Sequence, residues 1–318
     1  MNTLPWIEKY RPTKLDEIIN HKNIVNILNK LITSNKFPHT IFYGQSGTGK
    51  TSTIISCAKQ IYGDNYKTMV LELNGSDDRG IGVVRYKIND FCNYDSFFNK
   101  KIKLVILDEA DSMTYDAQFA LRKYIEDYTS TTRFCLICNY IYKIIDSLQS
   151  RCVIFNFSNI TSENIKLKLI DISKKEKIKY TEEGIDAIIN ISDGDLRKAI
   201  NYLQSLSLTV TTINEKNILK YTGYISDFIM DEILKILLNN DLKKSYKKVR
   251  ILIKKYNICF IDLVKQSYKF INKMDLSEEQ VLEFIKYMAQ IEYNIFKQGN
   301  NDIQILSLIS CFFKIKYI

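Results

Sequence analysis

Apolar residues along this chain follow two regimes, and the change between them comes near residue 157. Before it, short continuous apolar runs alternate with stretches in which apolar residues recur every three or four positions. The runs are Thr40-Ile41-Phe42-Tyr43, Thr68 to Leu73, Lys103 to Leu107 and Thr132 to Asn139. The continuous aliphatic run within 103–107 suits a central strand of a parallel sheet covered on both faces, and the other three are also expected to be strands. Helical spacing is predicted over 23–34, where Val25, Leu28, Leu31 and Ile32 share a face, and over 51–62, 81–91 and 115–127. Ser76 or Asp77 is expected to cap the third of these. Strands alternating with helices predict a parallel α/β domain over 1–157. Two prolines, Pro5 and Pro12, bracket what is expected to be an extended arm ahead of it.

Beyond residue 157 only the helical period remains. Helices over 161–175, 182–190, 195–206 and 214–220 predict a small bundle within 158–224. Longer amphipathic stretches at 226–239, 241–256, 260–273, 277–298 and 302–316 predict an all-α module over 225–318. In the second of these, Leu242, Tyr246, Val249 and Ile253 mark one face, with lysines elsewhere. No active-site chemistry is visible in this module, which suits a packing or assembly role.

Composition narrows the class. A chain of 318 residues, 46% hydrophobic and 25% charged, is globular and long enough for two or three domains. No run of 18 apolar residues and no signal-peptide pattern occurs, so the expectation is a soluble, unexported protein. Seven cysteines sit in core-like segments and are expected to be buried thiols in a reducing compartment. Cys135 and Cys138 lack the second pair or nearby histidine that a zinc site requires. The net charge of +9 is not concentrated in one half. Residues 1–157 carry 20 Lys+Arg against 16 Asp+Glu, and the rest 25 against 20. Charge therefore supports nucleic-acid binding only weakly.

The chemistry is carried by Gly44-Gln45-Ser46-Gly47-Thr48-Gly49-Lys50-Thr51, with Ser52 following. It fits G-x-x-x-x-G-K-[ST] and lies between a predicted strand and a predicted helix, the context of a phosphate-binding P-loop. Glycines let successive N–H groups face one concavity, and the helix start adds positive potential. Lys50 is expected to reach β and γ phosphates, and the Thr51 hydroxyl to ligate Mg²⁺. At the end of the 103–107 run stand Asp108 and Glu109, 58 positions after Lys50. Asp108 is the second expected Mg²⁺ ligand, and Glu109 the base that polarises water.

Several further motifs carry a resemblance. They are Pro5-Trp6-Ile7-Glu8-Lys9-Tyr10-Arg11-Pro12, Leu73-Asn74-Gly75-Ser76-Asp77-Asp78-Arg79-Gly80, Asn139, Ser150-Arg151-Cys152 and Gly194-Asp195-Leu196-Arg197. Jointly and in this order, they resemble a replication factor C small subunit, of the AAA+ ATPases that load sliding clamps onto DNA. The resemblance is dense to about residue 207. It implies an α/β P-loop ATPase domain (1–157), a helical lid (158–224) and a helical collar for oligomerisation (225–318). It also implies ATP with Mg²⁺ as cofactors, and as partners the other subunits of a hetero-pentamer, a PCNA-type clamp and primer-template DNA read without sequence preference.

Carried residue by residue, the resemblance gives Asn139 the orientation of the attacking water and Arg197 a contact to the γ phosphate from the same chain. Arg151 becomes a finger on the ATP of the neighbouring subunit. Tyr10 and Arg11 lie along the adenine, Arg79 and Arg85 face the DNA backbone, and the helix from Asp116 to Asp127 meets the clamp. The chain departs from the family pattern at Gln45 and Ser46, where prolines are common, and at Gly82, where an acid is usual. The implied compartment is the nucleus of a cellular eukaryote or the cytoplasmic replication site of a large DNA virus. Two other readings remain open on sequence alone: a non-catalytic structural subunit of an AAA+ assembly, and another AAA+ DNA motor such as a branch-migration helicase.

Overall fold

The structure, a computed structural model, describes residues 4–76, 81–93, 102–223, 225, 227–239, 241–271, 276–297 and 301–316. The arm opens with one helical turn, α1 (Trp6–Lys9), and a 3₁₀ turn at Leu15–Glu17 leads to α2 (Lys22–Thr33). Five strands follow: β1 (Thr40–Gly44), β2 (Val70–Asn74), β3 (Lys103–Asp108), β4 (Thr132–Cys138) and β5 (Val153–Phe157). Between them lie α3 (Lys50–Tyr62), α4 (Tyr66–Met69), α5 (Ile81–Asn93), α6 (Tyr115–Asp127) and α7 (Asp146–Gln149). The remainder is helical: α8 (Ser162–Lys175), α9 (Glu182–Ser192), α10 (Leu196–Thr209), α11 (Glu215–Thr222), α12 (Asp227–Asn239), α13 (Leu242–Tyr256), α14 (Phe260–Ile271), α15 (Glu278–Phe296) and α16 (Asn301–Lys316). Among the described residues no helix is long and apolar enough to cross a membrane.

The sheet is parallel in order β2-β3-β4-β1-β5. Successive side chains of a strand point to opposite faces, which explains the continuous apolar runs. In β3, Leu104 and Ile106 join a layer containing Leu28 of α2 and Ile54 of α3. Val105 and Leu107 join the opposite layer, with Ile88 of α5 and Leu121 of α6. All four β3 side chains are at most 2% exposed.

The chain divides into two compact units, 1–178 with 188–205, and 179–187 with 206–318. The second has its own core, in which Val249 and Leu252 of α13 pack with Leu263 of α14, Phe284 of α15 and Leu308 of α16. Ser277 caps α15 in a reciprocal arrangement with Gln280, satisfying two backbone donors at its start.

Several expectations are corrected. The arm is not wholly extended: Pro5 precedes a helical turn at Trp6–Lys9, since proline's fixed φ is compatible with a helix start and its steric restraint falls on the residue before it, not on those that follow. Residues 68–69 belong to α4, and β2 begins at Val70. The strand β5 has no counterpart among the predicted strands. Among the described residues it is an edge strand bonded to β1 alone, with Val153 and Ile154 exposed, although Cys152-Val153-Ile154-Phe155 is itself a short apolar run. Not every thiol is buried, because Cys152 is half-buried and Cys259 exposed. Ser76 donates to Asn74 Oδ1 at 2.9 Å, while Asp77 lies outside the described residues.

His39, just before β1, is 8% exposed and its Nδ1 accepts from the Phe134 N–H at 3.2 Å. Burial, with the nearby Arg133 charge, pushes its pKa down to about 4. The unfolded chain therefore binds the extra proton first. The stabilisation is full above about pH 6.5 and is lost as pH falls toward 4, a span of about 3 kcal/mol. His39→Gln keeps an acceptor without the titration. Its urea midpoint is expected to fall less than that of the parent chain between pH 7 and 4.5. Equal falls would remove His39 from the account.

Candidate functional site

The site forms where β1, β3 and β4 end on the same edge of the sheet. After β1 the chain turns at Gly44, where a Cβ would lie 2.1 Å from the Phe157 carbonyl oxygen. It then loops to Gly49, which precedes α3. Gly47 has φ +73°, and a Cβ there would stand 1.9 Å from Asp195 Oδ1, so both conformation and space demand glycine. The first N–H groups of α3 have no partner within the helix, which makes its start attractive to anions.

Lys50 opens α3 and is 8% exposed. Its Nζ donates to Gly44 O and Gln45 O, each at 2.8 Å, and to Asn139 Oδ1 at 3.0 Å. Burial pushes its pKa below the ordinary lysine value, and Asp108 is the foremost opposing charge. Next to it, Thr51 Oγ1 donates to Asp108 Oδ2 at 2.8 Å. The other Asp108 oxygen accepts the Glu109 N–H at 2.9 Å. Glu109 is exposed, at φ +51°, a left-handed conformation uncommon for a non-glycine residue. Asp111 Oδ2 accepts the N–H groups of Asn139 and Tyr140, both at 3.2 Å, which fixes the turn after β4.

The other wall comes from the arm and from the helices after the sheet. Trp6 N–H donates to Gln204 Oε1 of α10 at 3.0 Å. Lys9 Nζ and the Tyr10 hydroxyl both reach Glu176 Oε1, just past α8, at 2.5 Å. The Lys9 bond, ahead of the Tyr10 bond, holds the Glu176 carboxyl below its ordinary pKa. Arg11 Nε lies 3.4 Å from Ser52 Oγ. At the start of α10, Asp195 Oδ1 accepts the N–H groups of Arg197 and Lys198 at 2.9 and 3.1 Å, an N-cap.

One cavity gathers Tyr10, Arg11, Ser46, Gly47, Thr48, Gly49, Lys50, Thr51, Ser52, Asp108, Glu109, Asn139 and Arg197. Gly44 and Gln45 contribute carbonyls to Lys50 and are not in its lining. Arg151 is absent from the lining as well. It is exposed, with Nη2 2.6 Å from Glu126 Oε1 and Nη1 donating to Ser147 O at 2.8 Å. Arg79 and the Arg85 side chain lie outside the described residues, although the Arg85 backbone is in α5.

Sequence reasoning missed the apolar part of the lining, Ile7, Ile18, Ile19, Ile160, Leu196 and Ile200, as well as Lys168 of α8. Burial pushes the Lys168 ammonium below its usual pKa, with Asp171 the foremost opposing charge. These residues come from five separate segments, so no single motif could have gathered them. Asp111 was legible only as the next acid after Asp108 and Glu109.

Comparison with known proteins decides the family. The chain is 42% identical to replication factor C subunit 5 of Homo sapiens over 98% of its own length and 92% of that protein's. It is 40% identical to replication factor C subunit 3 of Saccharomyces cerevisiae, covering 95% of this chain and 90% of that one. The chain belongs to the replication factor C small subunits. Three family models match along it. They are the ATPase family associated with various cellular activities over 40–160, the RCF1/5-like AAA+ ATPase lid domain over 167–208, and the replication factor C C-terminal domain over 225–311. The first spans the P-loop through Ile160, and the second spans Lys168, Leu196, Arg197 and Ile200. Among solved structures, the Thermotoga maritima RuvB Holliday junction branch migration motor matches at TM-score 0.55. The identity is 18%, over 79% of this chain and 86% of that one, and this likeness shows the AAA+ fold. This replication factor C subunit is thus an AAA+ ATPase with a nucleotide-binding site.

The contacts from Glu176 to Lys9 and Tyr10 hold the arm beside that site. Glu176→Ala is expected to weaken nucleotide binding about three- to tenfold, the loss of roughly one charge-assisted hydrogen bond, with little change in thermal midpoint. Titration with a fluorescent ATP analogue checks this. Parent-like affinity would leave Trp6 and Gln204 as the contact that matters.

Proposed function

We propose that this chain is a subunit of a pentameric clamp loader. It uses ATP binding and hydrolysis to open a ring-shaped PCNA-type clamp and load it onto primed DNA at a nuclear replication site. The observation that carries the mechanism is a division of labour. Lys50, Thr51, Asp108, Glu109 and Asn139 converge on one cavity, while Arg151 stands exposed elsewhere. An arginine so placed is available to a neighbouring subunit. In this reading 158–224 acts as the lid and 225–318 as the collar.

The residues suit Mg²⁺-nucleotide. Thr51 Oγ1 and Asp108 Oδ2 are hard oxygen donors 2.8 Å apart, and Mg²⁺ typically takes few protein ligands, filling its octahedron with water and phosphate oxygens. When bound, the ion neutralises charge on the β and γ oxygens. The protein's own groups do the rest. Lys50 exchanges its two carbonyl acceptors for phosphate oxygens, and the start of α3 offers backbone donors. Glu109 orients and deprotonates the attacking water, with Asn139 beside it. Arg197 contacts the γ phosphate from the lid side, which favours its placement near a helix start only when an anion is present. Ile18, Ile19, Ile160 and Ile200 offer the base an apolar seat, with Tyr10 and Arg11 along it. Arg151 offsets charge developing on a neighbour's transferring phosphoryl.

In this reading α5, with Arg79 and Arg85, meets DNA phosphates, a mode of contact that carries no sequence preference. The clamp meets α6. In support, Tyr115 and Phe119, one turn apart on α6, are 67% and 53% exposed, and exposed aromatics are favoured interface anchors.

The test is the assembled complex with clamp and primer-template. Glu109→Gln is expected to keep nucleotide binding and to lose hydrolysis at its own site by about 10²-fold or more. Arg151→Ala is expected to leave this chain's nucleotide affinity unchanged and to slow hydrolysis at the adjacent subunit by about 10³-fold. Unchanged complex activity in Glu109→Gln would mark the nucleotide as structural. Weakened binding by the isolated Arg151→Ala chain would show that this arginine serves its own site. Phe119→Ala is expected to weaken clamp capture by at least tenfold in a pull-down titration, with basal ATPase unaltered.

A further inference from the structure

Helix α13 segregates charge more sharply than the chain totals suggest. Between Leu242 and Tyr256 it carries Lys243, Lys244, Lys247, Lys248, Arg250, Lys254 and Lys255, and no acid. Residues 225–318 hold 15 Lys+Arg against 11 Asp+Glu. The helix alone, at +7, thus exceeds the +4 of the whole segment, and the remainder is −3. At 3.6 residues per turn these cations fall within an arc of about 160° over a helix about 22 Å long. Lys243, Lys244, Lys247, Lys254 and Lys255 are exposed, and Ile251 among them is 63% exposed. Among the described residues, the acids placed against this face include Asp241, 3.5 Å from Lys244, and Asp302, 2.9 Å from Arg250.

The opposite arc is committed elsewhere. Ser245, Val249 and Leu252 are buried, and Tyr246, Ile253 and Tyr256 pack against the same helical core. A basic amphipathic helix that inserts into a membrane needs its apolar face free, and here that face is used. An acidic protein partner calls for an apolar centre beside the charges, and Ile251 is the sole exposed apolar residue within the cationic arc. Single-stranded nucleic acid calls for exposed aromatics on which bases stack, whereas both tyrosines of α13 are half-buried. What fits a ladder of exposed ammonium groups, repeating about every turn, is the phosphate backbone of duplex DNA, read by charge and without sequence.

We infer that the lysine face of α13 is a second, sequence-independent contact for duplex DNA, separate from the nucleotide site. It adds to the proposed loading function, but its test does not depend on hydrolysis. The full-length chain is titrated onto a fluorescent duplex of about 30 base pairs over a range of salt concentrations. In the quadruple variant Lys243→Gln, Lys247→Gln, Lys254→Gln, Lys255→Gln, affinity at about 50 mM salt is expected to fall at least tenfold. The slope of log affinity against log salt should become shallower by about 2 to 3, at about 0.9 for each phosphate no longer neutralised. A control of equal charge, Lys216→Gln, Lys235→Gln, Lys265→Gln, Lys286→Gln, is expected to change affinity less than twofold.

Equal losses in the two variants would reduce the effect to bulk charge and overturn the inference. So would parent-like DNA binding by the α13 variant, or a loss confined to polyglutamate, which would point to an acidic protein. A parent-like far-ultraviolet circular dichroism spectrum and thermal midpoint show the variant folded, and retained binding of a fluorescent ATP analogue keeps this outcome distinct from failure of the ATPase reading. Should the variant not fold, a photoreactive phenylalanine placed at Ile251 in the otherwise unaltered chain is expected to crosslink the duplex in preference to a single strand. Absence of that crosslink overturns the inference equally.

Discussion

The Lys50 ammonium ties together the elements that line the cavity. It is nearly buried, and a buried cation persists only where acceptors surround it. Two are carbonyls of its own loop and the third is the Asn139 amide oxygen beyond β4. One residue along, Thr51 makes the parallel tie to Asp108 at the end of β3. The start of α3 is therefore fastened to the ends of two strands, and β4 itself separates β3 from β1. In an open parallel sheet the carboxyl ends of the strands lie along one edge. The bonds made there by Lys50 and Thr51 turn that edge into a defined cavity.

The same groups explain why the site is poised. A carbonyl is a weaker partner for an ammonium than a phosphate oxygen carrying charge, so in the proposed reading a polyphosphate replaces the carbonyl contacts of Lys50. Asp108 is likewise shared between Thr51 and the Glu109 amide, which fixes the orientation of its carboxylate. Pre-set geometry of this kind keeps reorganisation out of the reaction step. Distance from its own cavity gives Arg151 a different logic, because its partners Glu126 and Ser147 hold it at the surface.

Sequence reveals this molecule unevenly, for physical reasons. The strands β1, β3 and β4 are visible because burial on both faces leaves the middle of each run apolar, with polar residues such as Lys103, Asp108, Thr132 and Arg133 confined to the ends. The P-loop and the Asp108-Glu109 pair are visible because phosphate chemistry restricts residue type at fixed spacing. Edge strand β5 has a short apolar run of its own, Cys152 to Phe155, but it carries no chemistry at its end and so draws no notice beside the runs that lead into the P-loop and the acids. The helical turn at Trp6–Lys9 is masked by its flanking prolines, which suggest extended chain. Ile18, Ile19, Ile160 and Ile200 reach the cavity by tertiary placement, and isoleucine recurs so often in this chain that none stands out, while Leu196 lies in a quoted motif whose chemistry drew attention to Arg197 instead. Lys168 is hidden in the same way among many lysines.

Strand β5 also bears on how the subunit is handled. Its inner edge is fully engaged by β1, while among the described residues its outer edge ends the sheet, and Val153 and Ile154 stand exposed on its two faces. Such a border is a template for foreign strands, and it lacks the lysines or prolines that commonly guard one. An orphan copy of this protein is therefore exposed to self-association along that border, which favours producing it together with the chains it assembles with.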